Sequence, residues 1–322
     1  MNPLFQSAGV RQQARADVSA PDDDVIAVSL ASLLALHHEA EAIAFKPGRI
    51  RASTSGNYLS PFKGRGMEFD EVRPYMQGDD VRMLDWRVTA RTGRAHTKQF
   101  REERERAVLL WMDFRRPMFF ATRGAFKSVR AAQAAALLGW SAVHHGDRLG
   151  ALIFSDSQHT ELRPKRGKPP LLHLLKKIAE HSVLHADNPG NPDAMNQALS
   201  RLRAVAQPGS LIALLSDFAG MDAHSDAHLA QLARHNELML IDIHDPLEAE
   251  LPPAGSYRVS DGEQFLTIAT ADTTLRTRYR QNFEQQQERL RQLCQRHRMT
   301  LVPMTTAEEP QQALQRCLGV RR

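Results

Sequence analysis

From residue 107 onward the chain alternates short runs that are apolar on both faces with longer stretches that are apolar on one face only. The runs are AVLLWMD (107–113), RLGALIF (148–154), LIALLSD (211–217) and ELMLIDIHD (237–245). A strand with one wet face alternates apolar and polar residues, so runs without alternation are covered on both faces. Between them lie helical patterns near 126–145, 168–181, 193–206 and 224–235. This order predicts an α/β fold, a doubly wound, mostly parallel sheet built from βαβ units. A long helix near 273–297, with Leu275, Tyr279, Phe283, Leu290 and Leu293 at helical spacing, and a strand at 300–304 complete it. The segments 256–261 and 264–270 read as a hairpin inserted before that helix.

The N-terminal third has a different texture. Residues 1–24 are polar and end in Pro-Asp-Asp-Asp, which predicts a flexible tail and then a capped helix carrying Val28, Leu30, Leu33, Leu34 and Leu36. Residues 25–106 are expected to hold that helix and a small β-rich subdomain, and residues 107–322 the α/β domain.

Composition bounds the setting. No run approaches the ~20 apolar residues of a membrane helix, so no membrane insertion is expected. The N-terminus lacks the apolar stretch of a signal peptide, and Cys294 and Cys317 stand in no metal or redox spacing. A cytoplasmic protein is the expectation. Residues 46–106 hold 14 Lys or Arg against 9 Asp or Glu; subtracted from totals of 42 and 37, this leaves 28 against 28 elsewhere. The whole excess of +5 therefore lies in one segment, but acids are interleaved through it, so nucleic acid is not the expected partner.

That segment contains RPYMQGDDVRMLDWRVTARTG (73–93). Gly78 followed by Asp79 and Asp80 suits a turn and a helix start, Val81, Leu84 and Val88 fall on one face, and Gly93 suits a C-cap, which predicts a helix of about ten residues. The two aspartates suit the positive end of its dipole, with Arg87 and Arg91 near the other. Capping leaves Arg73, Arg82, Asp85 and Trp86 unexplained. They form either a buried ion network fixing the subdomain on the α/β domain or a surface pocket for a partner.

Ligands of open α/β sheets sit at the carboxyl ends of strands, and two predicted strands end in aspartate, Asp113 and Asp217. A strand ending in Asp and a later one ending in Ser-Asp resemble the von Willebrand factor A domain. There a metal-ion-dependent adhesion site uses Asp-x-Ser-x-Ser, a Thr from another loop and a second Asp. The stretch GRGMEFDEVRPYMQGDDVRMLDWRVTARTG before the first strand resembles the signature of the bacterial family numbered fifty-eight among domains of unknown function. Such proteins are associated with MoxR-type AAA+ ATPases. The resemblance spans about residues 46–245 and implies an A-domain-like interaction module, an adaptor or co-chaperone working with such an ATPase on an unidentified client protein.

Carried over by residue, the metal site departs from its pattern. Asp113 and Asp217 match the two aspartates, but Arg115 and Pro117 stand where the serines belong, and the loop for the threonine offers Asn191 and Pro192. A hard cation such as Mg2+ needs several oxygen ligands. Arg115 or Arg116 is placed to pair with an aspartate instead, so a degenerate site without cofactor is expected. The following Met118, Phe119 and Phe120 are either exposed interface residues or core.

Other constellations specify no reaction. His181 with His185 and His224 with His228 have helical spacing but no convincing third ligand for zinc. There is no Walker-type phosphate loop and no nucleophile elbow. A metal-dependent hydrolase or nuclease using Asp70, Glu71, Asp79, Asp80 and Asp85 is the enzymatic alternative, and a nucleic-acid-binding protein the other; the expectation is a protein that is not an enzyme.

Overall fold

The computed structural model describes residues 24–43, 67–77, 79–102, 106–183, 190–260 and 265–318. The tail expected over residues 1–24 lies, but for Asp24, outside them. In chain order come α1 (Leu30–Ala35), α2 (His37–Ala40), β1 (Met67–Pro74), α3 (Trp86–Thr92), β2 (His96–Glu102), β3 (Ala107–Asp113), α4 (Lys127–His144), β4 (Arg148–Phe154), β5 (His159–Arg166) and α5 (Lys168–His181). They are followed by α6 (Ala194–Val205), β6 (Leu211–Ser216), α7 (Ala223–Ala233), β7 (Glu237–His244), α8 (Pro246–Ala249), β8 (Ser256–Ser260), β9 (Phe265–Ala269), α9 (Thr273–His297), β10 (Thr300–Thr305) and α10 (Pro310–Leu318).

Six strands form the central sheet in the order β10-β7-β6-β3-β4-β5, parallel throughout except for the antiparallel pairing of β5 with β4. The strand period of two sorts the apolar runs between two cores. On one side Val108, Leu110 and Met112 of β3 join Leu211, Ala213 and Leu215 of β6 under α4, α5 and α10. On the other, Leu109 and Trp111 join Ile212 and Leu214 under α6, α7 and α9. This is the doubly wound arrangement that runs apolar on both faces require.

Helix α4 is buried at fifteen of its 18 residues, many of them alanine. Small side chains let its axis approach the sheet, and Gly139 is in the path of Leu171, whose Cδ1 would stand 2.8 Å from an added Cβ. The outer face of α4 is covered by the segment 24–43, whose Val28, Leu33, Ala40 and Ile43 are part of the same core. Trp140 Nε1 donates to Leu33 O (3.2 Å), Ser141 Oγ to Ile43 O (3.0 Å), and Val28 N to Ser182 Oγ (3.3 Å). The first helix thus packs on the α/β body, although the boundary drawn at 106 groups it with the β-rich segment. Its N-cap is Ser29, which accepts from Ser32 N.

Strand β5, helix α10 and the short helices α2 and α8 were absent from the sequence reading. Strand β5, HTELRPKR, alternates between half-buried and exposed positions and carries Pro164 and several charges, which suits a sheet edge but lacks an apolar run. Helix α10 packs beside α4 through Ala313 and Leu314.

The single helix expected from Asp79 onward is replaced by two short pieces. A 3-10 turn at Val81–Met83 is capped by Asp80, then Leu84 turns extended (ψ 130°) and α3 begins only at Trp86. The reason is pairing: Leu84 forms a bridge with Thr97, and Asp85 N donates to His96 O (2.8 Å), so this backbone is committed to β2 rather than to a helix. Gly93 closes α3 in the left-handed conformation, φ 68°.

Candidate functional site at the sheet edge

Strands β3 and β6 are neighbours at the centre of the sheet, so Asp113 and Asp217 emerge side by side at its carboxyl edge. Asp113 is fully buried. Arg115 folds back onto it, with Nε 3.0 Å from Oδ1 and Nη2 2.7 Å from Oδ2, while Ser216 Oγ donates to Oδ2 at 2.6 Å. The same Nη2 lies 3.8 Å from Asp217 Oδ1 and donates to Ala219 O at 3.2 Å. Asp217 Oδ2 accepts from Lys127 Nζ at 2.8 Å, and Nζ also donates to Glu248 Oε1 at 2.6 Å. Lys127 is buried in the first turn of α4, which the sheet edge holds against both carboxylates.

The rim continues on either side. Asp245 caps α8 and accepts from Thr122 N and Oγ1, Leu247 N and Thr306 Oγ1, while Glu248 Oε2 accepts from Asp245 N at 2.8 Å to complete the capping box. Asp156, after β4, accepts from Arg116 N (2.9 Å) and Asn191 N (3.2 Å), tying the β3 loop to the loop before α6. At the turn after β6, Phe218 takes φ 50°, with its N–H held by Ser216 Oγ at 2.9 Å. A non-glycine residue held at positive φ is local strain fixed by its surroundings.

Burial is the largest influence on each of the three central charges. It pushes the Asp113 carboxyl up against the pull of Arg115 and Ser216. It pushes Arg115 and Lys127 down, and in both the neighbouring carboxylates prevail and hold the cation above its ordinary range. A raised Arg115 presupposes a charged Asp113; with a bidentate guanidinium and a hydroxyl donating to that carboxylate, the ionised pair is the arrangement the geometry favours.

These residues do not fit a Mg2+ ion. Asp113 spends both oxygens on Arg115 and Ser216, Asp217 spends one on Lys127 and the other on Ala219 N, and two fixed cations occupy the approach. Arg116 and Pro117 are exposed, whereas Met118 and Phe114 are core, Phe119 packs against the core, and Phe120 is partly exposed. Of the loop offered as an interface, Met118 is therefore removed.

The acidic and aromatic cluster of the N-terminal segment is dispersed over separate local tasks. Arg73 Nη2 pairs with Asp79 Oδ1 at 2.7 Å, and Asp79 Oδ2 accepts from Met76 N. Asp80 caps the 3-10 turn and Asp85 caps α3. Arg82, Arg91 and Trp86 are exposed, Trp86 at 70%. Arg73, Asp79 and Asp85 are half-buried rather than buried, and the side chains of Asp70 and Glu71 lie outside the described residues. His181 Nε2 lies 3.0 Å from Thr160 Oγ1, His228 Nδ1 accepts from Arg203, and His185 is outside the described residues. Cys294 is buried, which pushes its thiol up to about 12 and leaves it unreactive.

Sequence reasoning missed Lys127, Ser216, Asp156, Asp245 and Glu248. The Asp-Pro-Leu-Glu order at 245–248 carried a readable capping-box signal. A lone lysine opening an alanine-rich helix carried none.

Residues 71–289 match the family described as "Protein of unknown function DUF58". The chain belongs to this family. Among relatives of the DUF58 protein, an uncharacterized protein of Mycobacterium bovis and uncharacterized proteins of two Mycobacterium tuberculosis strains are each 33% identical over 208 residues. The match covers 65% of this chain and 64% of each relative, slightly under two thirds of their length. Solved structures of similar outline include the conserved hypothetical protein BatB of Bacteroides thetaiotaomicron (TM-score 0.40, 12% identity, covering 66% of this chain and 96% of that one). An aerotolerance-related membrane protein of Bacteroides fragilis gives TM-score 0.42 at 11% identity over 66% and 98% of the two chains. An uncharacterized membrane spanning protein of Vibrio fischeri gives 0.22 at 15% over 64% and 92%.

The cytoplasmic placement expected from the sequence is withdrawn; two of these neighbours are described as membrane proteins. Among the described residues no helix is long and apolar enough to cross a membrane.

Proposed function

We propose that this DUF58 protein is a non-enzymatic interaction module with an A-domain-like scaffold, an adaptor or co-chaperone that works with a MoxR-type AAA+ ATPase in the assembly or maturation of a client complex. The observation that carries the reading is the closure of the sheet edge. Both central aspartates are neutralised by buried cations, Arg115 and Lys127, so the place where this fold would hold a reactive ion is a rigid rim. Around it stand exposed Arg116 and Pro117 and partly exposed Phe120, residues of a kind suited to recognition rather than chemistry. The ATPase as partner rests on the family resemblance alone.

The test is to titrate the purified protein into a MoxR-type ATPase from the same organism, with and without nucleotide, following complex formation and ATP turnover. A complex and an altered turnover rate are expected, with Arg116→Glu combined with Phe120→Ala weakening binding about tenfold or more, as loss of an interface anchor does. Neither complex nor rate change in any nucleotide state would overturn the reading.

A further inference from the structure

A second cluster lies far from the sheet edge, where the N-terminal segment crosses the last turn of α4. Helix α2 opens with His37 and His38, and Glu41 follows one turn after His37. One ligand atom from each of these three residues lies within 4.8 Å of the other two. His144, from α4, brings its Nε2 to 3.1 Å from His37 Nε2. Trp140, one turn earlier on α4, meets the His37 ring edge to face at 4.6 Å between centroids and 88°, so that ring is oriented by packing.

We propose that His37, His38, Glu41 and His144 form a binding site for a first-row divalent transition ion such as Zn2+, joining the N-terminal segment to α4. Two imidazole nitrogens facing each other at 3.1 Å share one proton in the ion-free protein, and a metal takes the place of that proton. For the His37–His144 pair the separation matches, since with Zn–N about 2.0–2.1 Å the edge of a tetrahedron is roughly 3.3 Å, and His38 and Glu41 each bring a ligand atom within 4.8 Å of one on His37. Three imidazoles and one carboxylate are the donor set of a zinc site, and hard Mg2+ has little preference for nitrogen.

His144 Nδ1 is buried without a hydrogen-bond partner, and a metal at Nε2 requires only the neutral ring. The exposed side of the cluster, His38 and Glu41, gives an ion its way in.

The experiment uses the full chain, treated with chelator, dialysed, and titrated with Zn2+ by calorimetry, with Co2+ absorption reporting a tetrahedral nitrogen and oxygen set. One ion per chain is expected, with a Zn2+-dependent rise in Tm. Affinity should fall at least about tenfold in His37→Gln and in His144→Gln, while His181→Gln binds as wild type does. Because the buried-side variants can disturb packing, Glu41→Gln, on the exposed side, provides a second reading, with circular dichroism confirming that each variant is folded. Absence of Zn2+ binding by the wild type, or undiminished binding in the folded variants, would overturn the proposal.

Discussion

Asp245 has no exposed surface, yet it stays charged because four donors converge on it. Burial alone would raise its pKa; the Thr122 and Thr306 hydroxyls and two backbone N–H groups outweigh it, and the net shift is downward. A carboxyl lowered in the folded state stabilises the protein above its ordinary value of 3.8, and that stability is lost as pH falls through the lowered folded value. Asp245→Asn should therefore cost about 2 kcal/mol near neutrality, where an amide cannot accept from all four donors. Urea unfolding at a series of pH values should show the gap from wild type shrinking below about pH 4, and a gap constant with pH would remove the charged role assigned to this residue. At this scale the sequence was legible in part. Asp113 and Asp217 stood out because they end apolar runs, whereas the partner of Asp217 is Lys127, brought there only by the packing of α4 on the sheet.

Among the elements, the approach to α4 depends on a turn at Gly124. Its φ is +70°, and an added Cβ would stand 2.1 Å from the carbonyl oxygen of Thr306, at the end of β10. Both objections are backbone ones and cannot be relieved by a side-chain rotation. Gly124→Ala should destabilise the protein by about 2–4 kcal/mol, read as a lowered denaturant midpoint with unchanged slope. A midpoint within error of wild type would show that the turn rearranges freely. The elements that sequence periodicity identified are those whose pattern comes from burial on both faces or along one stripe. Strands β3, β4, β6 and β7 and helices α5 and α9 are all of this kind, and α9 was anticipated over Thr273–His297. Strand β5 was missed because an edge strand that avoids further pairing does so by carrying charge and proline. The helix at 79–92 was misread because its middle residues were needed to pair with β2, a tertiary demand that local spacing does not reveal.

For the whole molecule, stability is expected to be uneven. The larger contacts of β1, β2 and α3 are with one another, and α3 has no buried residue, while β3 and β6 lie between two cores. Native-state hydrogen exchange should find β3 and β6 amides opening only with global unfolding and α3 amides opening at a clearly lower free energy. Equal protection would mean that the N-terminal β-rich segment is welded to the body. The stretch 24–43 belongs with the other class. Because α4 is enclosed by the sheet on one flank and this stretch on the other, the helix has no outside of its own. A version of the protein begun at Ala107 would keep every strand of the central sheet and still be left with a bare alanine and tryptophan stripe in water. The smallest piece able to stand alone thus starts many residues before its first sheet strand, and the opening helices serve as the missing third layer.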